Sequence, residues 1–157
     1  MAGCEGALAV VADWAKDTGR ETVAQIKKGG GKAEFIKIDV SSNKDILEMI
    51  KFAVKTYGRV DVLYNNAGVS ARSIEDLSRI IDVLGEDWYR ALNINLKNIF
   101  LCCKYAIPEM IKAGVGSIIN ISSLASILEG SGIGPYFRKI SPPVPSGIQR
   151  LKEAKFR

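Results

Sequence analysis

The sequence has no histidine and only three cysteines among its 157 residues. Without histidine, histidine-based catalytic triads and zinc sites with histidine ligands are excluded. The cysteines stand at positions 4, 102 and 103, without the spacing of metal ligands, and neighbouring cysteines rarely form a disulfide with each other. We therefore expect no metal site, free thiols in a reducing, cytoplasmic setting, and Cys102 and Cys103 as small core or interface residues.

Long apolar runs and P-loops are missing as well. No segment approaches the roughly 20 apolar residues of a membrane span. The apolar residues 6–12 follow Glu5 rather than the basic lead-in of a secretion signal. The sequence contains no Walker-type loop. We expect neither a membrane partner nor a P-loop nucleotide site.

The net charge of +5 comes entirely from the end of the chain. Residues 1–137 hold 16 basic and 16 acidic side chains, so this part is electrically balanced. Residues 138–157 combine six basic side chains with three prolines and one glutamate, which is typical of a solvated tail. We therefore expect one globular domain in residues 1–137, followed by a basic tail in residues 138–157 that does not bind nucleic acid.

Apolar patterns along the chain predict alternating strands and helices. Residues 7–12, 33–38, 60–64 and 117–121 have the pattern of strands. Helices are predicted at residues 16–28, at the amphipathic segment between Ser42 and Gly58, and at the long segment of residues 86–113, which is apolar on nearly all sides. This alternation predicts an α/β fold with a parallel sheet.

A set of short motifs follows these elements in a fixed order. The motifs are Asp13 after the first strand, Asp39 and Val40 after the second, Asn65-Asn66-Ala67-Gly68 after the third, Asn95 inside the long helix, and Ser123 with Tyr136 thirteen residues later. Together they resemble the short-chain dehydrogenase/reductase family over residues 5 to about 136. The resemblance implies a Rossmann-like, doubly wound parallel sheet that binds a nicotinamide cofactor and transfers hydride between a small alcohol and a carbonyl compound.

The resemblance implies a cofactor site built from the first three motifs. Asp13 matches an acid that accepts hydrogen bonds from the adenosine ribose and repels a 2′-phosphate, which favours NAD over NADP. Considered without the family, Asp13 reads equally well as an acid that caps the next helix. Asp39 and Val40 match the pair that contacts adenine, and the alternative for Asp39 is a turn residue.

Residues 65–68 bring two amides and two small residues to the end of a strand. Ala67 and Gly68 are small, which lets the backbone approach the cofactor. The amides, Asn65 among them, would tie neighbouring strands together. The alternative is an ordinary loop rich in asparagine and glycine. Trp14, Tyr64, Trp88 and Tyr105 are expected to be packing or boundary aromatics rather than a nucleotide-stacking platform.

The catalytic residues implied by the resemblance are Asn95, Ser123, Tyr136 and a lysine. Ser123 would donate a hydrogen bond to the substrate oxygen, and Tyr136 would exchange a proton with it. Asn95 would support a water beside the lysine, the alternative being a satisfied core amide. The family places that lysine four residues after the tyrosine, where this chain has Ile140, and Lys139 lies about 100° away around a helix.

The resemblance does not extend over the whole family pattern. The family opens with a strand and a Gly-rich turn, and that strand lies between the strands predicted here at residues 7–12 and 60–64. We expect an incomplete sheet, with weak or no turnover by this chain alone, and a shifted reading frame after Tyr136. The alternative is a non-catalytic cofactor-sensing or dimerisation protein. A family-like homo-oligomer would form through residues 86–113.

Overall fold

The computed structural model describes residues 6–69 and 84–121, together with the backbone of residues 147–151. Strands and helices alternate through these ranges, as the sequence predicts. The elements are β1 (Leu8–Asp13), α1 (Lys16–Lys28), β2 (Lys32–Lys37), α2 (Asn43–Tyr57) and β3 (Val62–Asn65). They continue with α3 (Gly85–Leu92), a π-helical segment (Asn93–Lys97), α4 (Asn98–Ala113), β4 (Gly116–Asn120) and β5 (Gly147–Leu151).

The strands form two small sheets. In the first, β1 pairs in parallel with β2, and Asp13 lies opposite Lys37. In the second, β3 pairs in parallel with β4, and Asn65 lies opposite Asn120. No strand pairing joins the two sheets within the described ranges. The parallel pairing predicted from the alternation of elements is confirmed.

β5 departs from the prediction of a solvated tail. Gly147–Leu151 runs antiparallel to β4, with Ile148 opposite Ile119 in the backbone register. The outer edge of β4 presents backbone N–H and C=O groups that need partners, and an antiparallel strand satisfies them whatever the charge of its neighbours. The pairing joins segments far apart in sequence, so the pattern of apolar residues in the tail does not predict β5.

The hydrophobic core lies between the second sheet and the two long helices. Its buried residues are Ile46, Ile50, Val60, Leu63, Leu101, Cys102, Ala106, Met110 and Ile118. All of them except Val60, which precedes β3, lie in α2, α4, β3 and β4. Burial of this apolar surface is the main favourable contribution to the stability of the fold.

α2 links the two sheets. Ser42 caps its first turn by accepting a hydrogen bond from the Asp45 amide at 3.3 Å, and Gly58 ends it with a φ of 83°. Only a residue without Cβ adopts that left-handed conformation at low cost. The hydroxyl of Tyr57 donates to the backbone carbonyl of Ala9 in β1 at 3.4 Å, so the last turn of α2 contacts the first sheet.

α1 packs closely on β2 through a glycine. Gly19 lies in the second turn of α1 and is buried, and a Cβ at this position would overlap the ring of Phe35. The close approach explains why a residue with low helix propensity lies inside this helix. Within the described ranges, no helix is long and apolar enough to cross a membrane.

Candidate functional site

Most candidate cofactor residues follow the carboxyl ends of parallel strands. Asp13 ends β1, Asp39 and Val40 follow β2, and Asn65 ends β3. In parallel α/β sheets the ligand site lies outside the carboxyl ends of the strands. The topology therefore puts these residues where a dinucleotide site is expected.

Asn65 and Asn120 join the ends of β3 and β4. The Asn65 Nδ2 group donates to Asn120 Oδ1 at 2.8 Å, and the bond is buried. The two residues are only 7% and 8% exposed, so neither amide can exchange this partner for bulk water. The structure thus shows a side-chain tie between neighbouring strands, which is the role expected for an amide in residues 65–68.

Asn95 holds the loop that follows β3. Its Oδ1 accepts from the Val69 backbone N–H at 2.8 Å, and its Nδ2 donates to the Val69 carbonyl at 2.8 Å. The amide side chain therefore pairs with backbone in the way that a neighbouring strand would. Asn95 is a satisfied amide, as one of the two sequence interpretations expects, and its side chain contacts the loop rather than standing free.

A π-helical segment surrounds Asn95. Residues Asn93–Lys97 form this wider turn between α3 and α4, where the sequence predicts one continuous helix over residues 86–113. π-turns inside α-helices are rare and occur frequently at functional sites, since the inserted residue shifts side chains relative to the preceding turn. Apolar periodicity does not report such a local change in winding.

Asn98, the first residue of α4, also contacts this loop, and the sequence interpretation missed it. It is 3% exposed, and its Nδ2 donates to the Ala67 carbonyl at 3.4 Å. Its Oδ1 is buried and has no hydrogen-bond partner among the residues that the structure describes. The sequence did offer a signal for Asn98: it is an asparagine three residues after Asn95, and residues i and i+3 lie on the same face of a helix. Asn95 and Asn98 thus hold alternate residues of the loop, Val69 and Ala67.

Gly68 lies between these two anchored residues. A Cβ built on Gly68 would stand 3.4 Å from Asn95 Oδ1, so a side chain there would fill the space beside the amide that orients the loop. The small size of Ala67 and Gly68 keeps backbone accessible next to the strand end.

Asp13 stabilises the turn that leads into α1. Its Oδ1 accepts from the Ala15 backbone N–H at 2.9 Å. Ala15 is the N-cap residue of α1, and the helix has no side-chain cap, so the capping role considered for Asp13 is not what the structure shows. Within the described residues the second carboxylate oxygen of Asp13 makes no hydrogen bond. Because a carboxylate can accept several hydrogen bonds, Asp13 remains able to bind a ligand hydroxyl.

Asp39 lies in a turn that α2 holds in place. Its Oδ1 accepts from both the N–H and the hydroxyl of Ser41, each at 2.8 Å. Asp45, in the first turn of α2, accepts the Asp39 backbone N–H at 2.9 Å. That hydrogen bond, together with one from Ser42, lowers the pKa of Asp45. The turn role considered for Asp39 is therefore present, and Val40 follows it half-buried.

The two neighbouring thiols are poor nucleophiles. Burial raises the pKa of Cys102 to about 11, and the adjacent Cys103 adds to the rise. Burial also raises the pKa of Cys103, against a hydrogen bond with Asn65 that lowers it. Both thiols are free and stay protonated at neutral pH. Their position in and beside the core confirms the packing role predicted for them.

Two of the aromatic residues expected at packing or boundary positions are exposed. Trp14 is 77% exposed and Tyr64 is 58% exposed. Tyr105 does lie at a boundary, since it is half-buried and its hydroxyl donates to Asn43 Oδ1 at 2.7 Å. The expectation is wrong for Trp14, which lies in the short turn between β1 and α1 and is largely exposed to solvent.

Ser123, Tyr136 and Lys139 lie outside the described residues. Their roles stay predictions from the sequence. The structure does describe Asp13, Asp39, Val40, Asn65, Ala67, Gly68 and Asn95. Two hydrogen bonds join Asn95 to Val69, directly after the motif of residues 65–68.

Comparison with known proteins identifies the family. The model described as short chain dehydrogenase matches residues 2–137. An uncharacterized oxidoreductase of Thermotoga maritima is 41% identical over 124 residues, which cover 78% of this chain and 46% of the relative. With its α/β fold and parallel strands, the chain belongs to the short-chain dehydrogenase family and has part of a Rossmann-like fold.

Solved structures support the same assignment. A 7α-hydroxysteroid dehydrogenase in complex with NADH and 7-oxo glycochenodeoxycholic acid matches with a TM-score of 0.75 and 29% identity, over 88% of this chain and 52% of that one. A metagenomic short-chain oxidoreductase in complex with NADP matches with a TM-score of 0.76 and 31% identity, over 87% and 60%. The chain spans about half the length of the curated relatives it matches.

Proposed function

We propose that this chain is part of an NAD-dependent oxidoreductase that interconverts a small alcohol and a carbonyl compound by hydride transfer. The observation that carries the proposal is the loop after β3, which Asn95 fixes by two hydrogen bonds of 2.8 Å at the carboxyl end of a parallel strand. The neighbours that hold NADH and NADP support a nicotinamide cofactor.

The residues present fit the adenosine part of such a cofactor. The second carboxylate oxygen of Asp13 is available for a ribose hydroxyl, and its charge opposes a 2′-phosphate. Val40 offers apolar surface near the same strand ends, and Ala67 and Gly68 leave room for backbone contacts. When bound, the nicotinamide ring supplies or accepts the hydride.

The catalytic side chains of the proposed reaction are assigned from the sequence motifs. Ser123 donates a hydrogen bond to the substrate oxygen, and Tyr136 gives it a proton or takes one from it. With a usual pKa near 10, a tyrosine needs a nearby cation to act as a base at neutral pH. Ile140 occupies the family's lysine position and Lys139 is offset from it, so we expect turnover by this chain alone to be weak.

Asn95 keeps hydrogen-bonding capacity beyond the loop. Each polar atom of its side chain makes one hydrogen bond with Val69, and an amide oxygen can accept a second hydrogen bond while the NH2 group can donate a second. The water-supporting role implied by the family resemblance is therefore compatible with anchoring of the loop and stays part of the proposal.

Assembly through the long helical segment is part of the proposal. Leu96, Phe100 and Ile111 are 37%, 63% and 55% exposed and recur at positions close to one face of a helix. Exposed apolar side chains in a row are typical of a surface that another subunit covers. A reducing, cytoplasmic setting is supported by the free thiols of Cys102 and Cys103.

Titration with NADH and with NADPH, followed by nicotinamide fluorescence, tests the cofactor assignment. We expect tighter binding of NADH, and we expect Asp13→Asn to reduce or reverse the preference, because the amide oxygen can still accept from the Ala15 N–H but carries no charge. Asp17→Asn removes one charge from an exposed position in α1 and is the matched control. No binding at millimolar cofactor would exclude the proposal, and equal affinity for both cofactors would exclude the preference for NAD.

Turnover is tested separately with simple alcohols and NAD. We expect low activity that falls further in Tyr136→Phe. Unchanged activity in Lys139→Ala would show that Lys139 is not the cation that assists the tyrosine.

A further inference from the structure

Trp14 is the most exposed of the large hydrophobic side chains in the described ranges, at 77%. An indole buries a large apolar area when it packs, so leaving it in water forgoes that stabilisation. Single exposed hydrophobic residues are common on protein surfaces and need no explanation by themselves. The exposure of Trp14 is informative because of where this residue lies in the fold.

Trp14 directly follows Asp13 at the carboxyl end of β1. The Ile38 backbone N–H donates to the Asp13 carbonyl at 3.0 Å, which keeps β1 and β2 in register up to their last residues. Asp39 and Val40 follow at once on β2, in a turn that Asp45 holds through the Asp39 amide. An exposed aromatic ring and a half-buried valine therefore stand just beyond the ends of two adjacent paired strands.

We propose that Trp14 stacks on the adenine ring of the cofactor. This inference rests on the proposed function, in which Asp13 binds the adenosine ribose. Adenine is bonded to the ribose carbon next to the one that carries the 2′-hydroxyl, so a ribose held by Asp13 brings adenine beside the residues that adjoin Asp13. Base stacking on an aromatic side chain needs no donor or acceptor and tolerates an exposed location.

The alternative is that Trp14 packs against another part of the protein or against another subunit. Stacking and packing differ in what they affect. A stacking residue changes affinity for the adenosine half of the cofactor alone, whereas a packing residue changes stability or acts equally on both halves. Electrostatic effects do not complicate the comparison of stacking with packing, because substitution of Trp14 leaves the charge of the site unchanged.

The test compares the full chain with Trp14→Ala and Trp14→Phe, and uses NADH, adenosine 5′-monophosphate (AMP) and nicotinamide mononucleotide (NMN) as probes. We expect Trp14→Ala to weaken binding of NADH and AMP about tenfold, in line with the loss of one stacking contact. Trp14→Phe should retain most of the affinity. Tyr89→Ala, which removes a 67% exposed aromatic ring on α3, is the matched control and should change neither affinity.

The outcomes separate this inference from the proposed function. If the wild-type chain binds NADH and Trp14→Ala binds NADH and AMP equally well, the stacking role is overturned while the cofactor assignment stands. If Trp14→Ala weakens NMN as much as AMP, Trp14 acts through folding and the stacking role is also overturned. If the wild-type chain binds neither NADH nor AMP, both proposals fail. Circular dichroism of each variant verifies the fold.

Discussion

The side chain of Asn95 pairs with both backbone groups of Val69, each at 2.8 Å. A single amide thus closes the loop after β3 onto the π-helical segment, across 26 residues of sequence. The geometry of the candidate site depends on this pairing, because Ala67 and Gly68 lie between Val69 and the buried Asn65.

Asn95→Ala should lower the free energy of unfolding by about 1–3 kcal/mol, since it leaves the Val69 N–H and C=O without their partners. Urea denaturation measures the change. Asn93→Ala removes a half-buried amide of the same segment, and we expect an effect below about 0.5 kcal/mol for this control. Equal effects of the two substitutions would contradict the anchoring role of Asn95.

Asn65 and Asn120 should be energetically coupled. A double-mutant cycle with Asn65→Ala and Asn120→Ala is expected to give an interaction energy of about 0.5–3 kcal/mol, because either single substitution removes the partner of a buried amide group. The cycle is read from chemical denaturation of the four proteins. Additive effects would show that the 2.8 Å bond does not contribute to stability.

Gly19→Ala should destabilise the protein by about 1–3 kcal/mol because the new methyl group would overlap the Phe35 ring. Helix propensity alone predicts the opposite sign. The control is Gly85→Ala at the start of α3, where no atom lies within 4 Å of the added Cβ, and a small gain is expected there. Recovery of stability in Gly19→Ala combined with Phe35→Leu, measured by thermal unfolding, would identify the overlap as the cause.

The pKa of Asp45 is lowered from its ordinary value of 3.8, first by the hydrogen bond from the Asp39 amide. A lowered pKa means that the carboxylate stabilises the folded state above pH 3.8, and that this contribution is lost as the pH falls through the lowered value. NMR titration of the Asp45 carboxyl carbon should give a midpoint below 3.8. Asp45→Asn should loosen the Asp39 turn at neutral pH, seen as faster amide exchange at Asp39.

Phe100→Asp should reduce self-association of the protein. The ring is 63% exposed on α4, and a charge placed in an apolar subunit contact costs desolvation energy. Light scattering after size exclusion gives the mass of each species. Lys104→Asp changes an exposed side chain of the same helix and serves as control. A wild-type chain that is monomeric at all concentrations would contradict assembly through this helix.

Much of the fold could be predicted from local patterns. The bounds of α1 agree with the predicted residues 16–28, and Ser42 and Gly58 begin and end α2 as expected. These features depend on residues close in sequence, where apolar periodicity and capping preferences act. The π-helical segment and β5 were not predicted, because the first is a change in winding without a compositional sign and the second depends on a distant strand edge.

The candidate site shows the same division. The sequence by itself determined which residue types stand at the ends of the strands, and in what order, namely Asp13, Asp39 and residues 65–68. It also determined that Asn95 follows inside the long helical segment. The tertiary structure alone decided the long-range partners and the exposure: Asn65 pairs with Asn120 across 55 residues, Asn98 reaches Ala67 across 31, and Trp14 is left in solvent. Partners that far apart in sequence are set by how helices pack on strands, and local sequence patterns do not encode that packing.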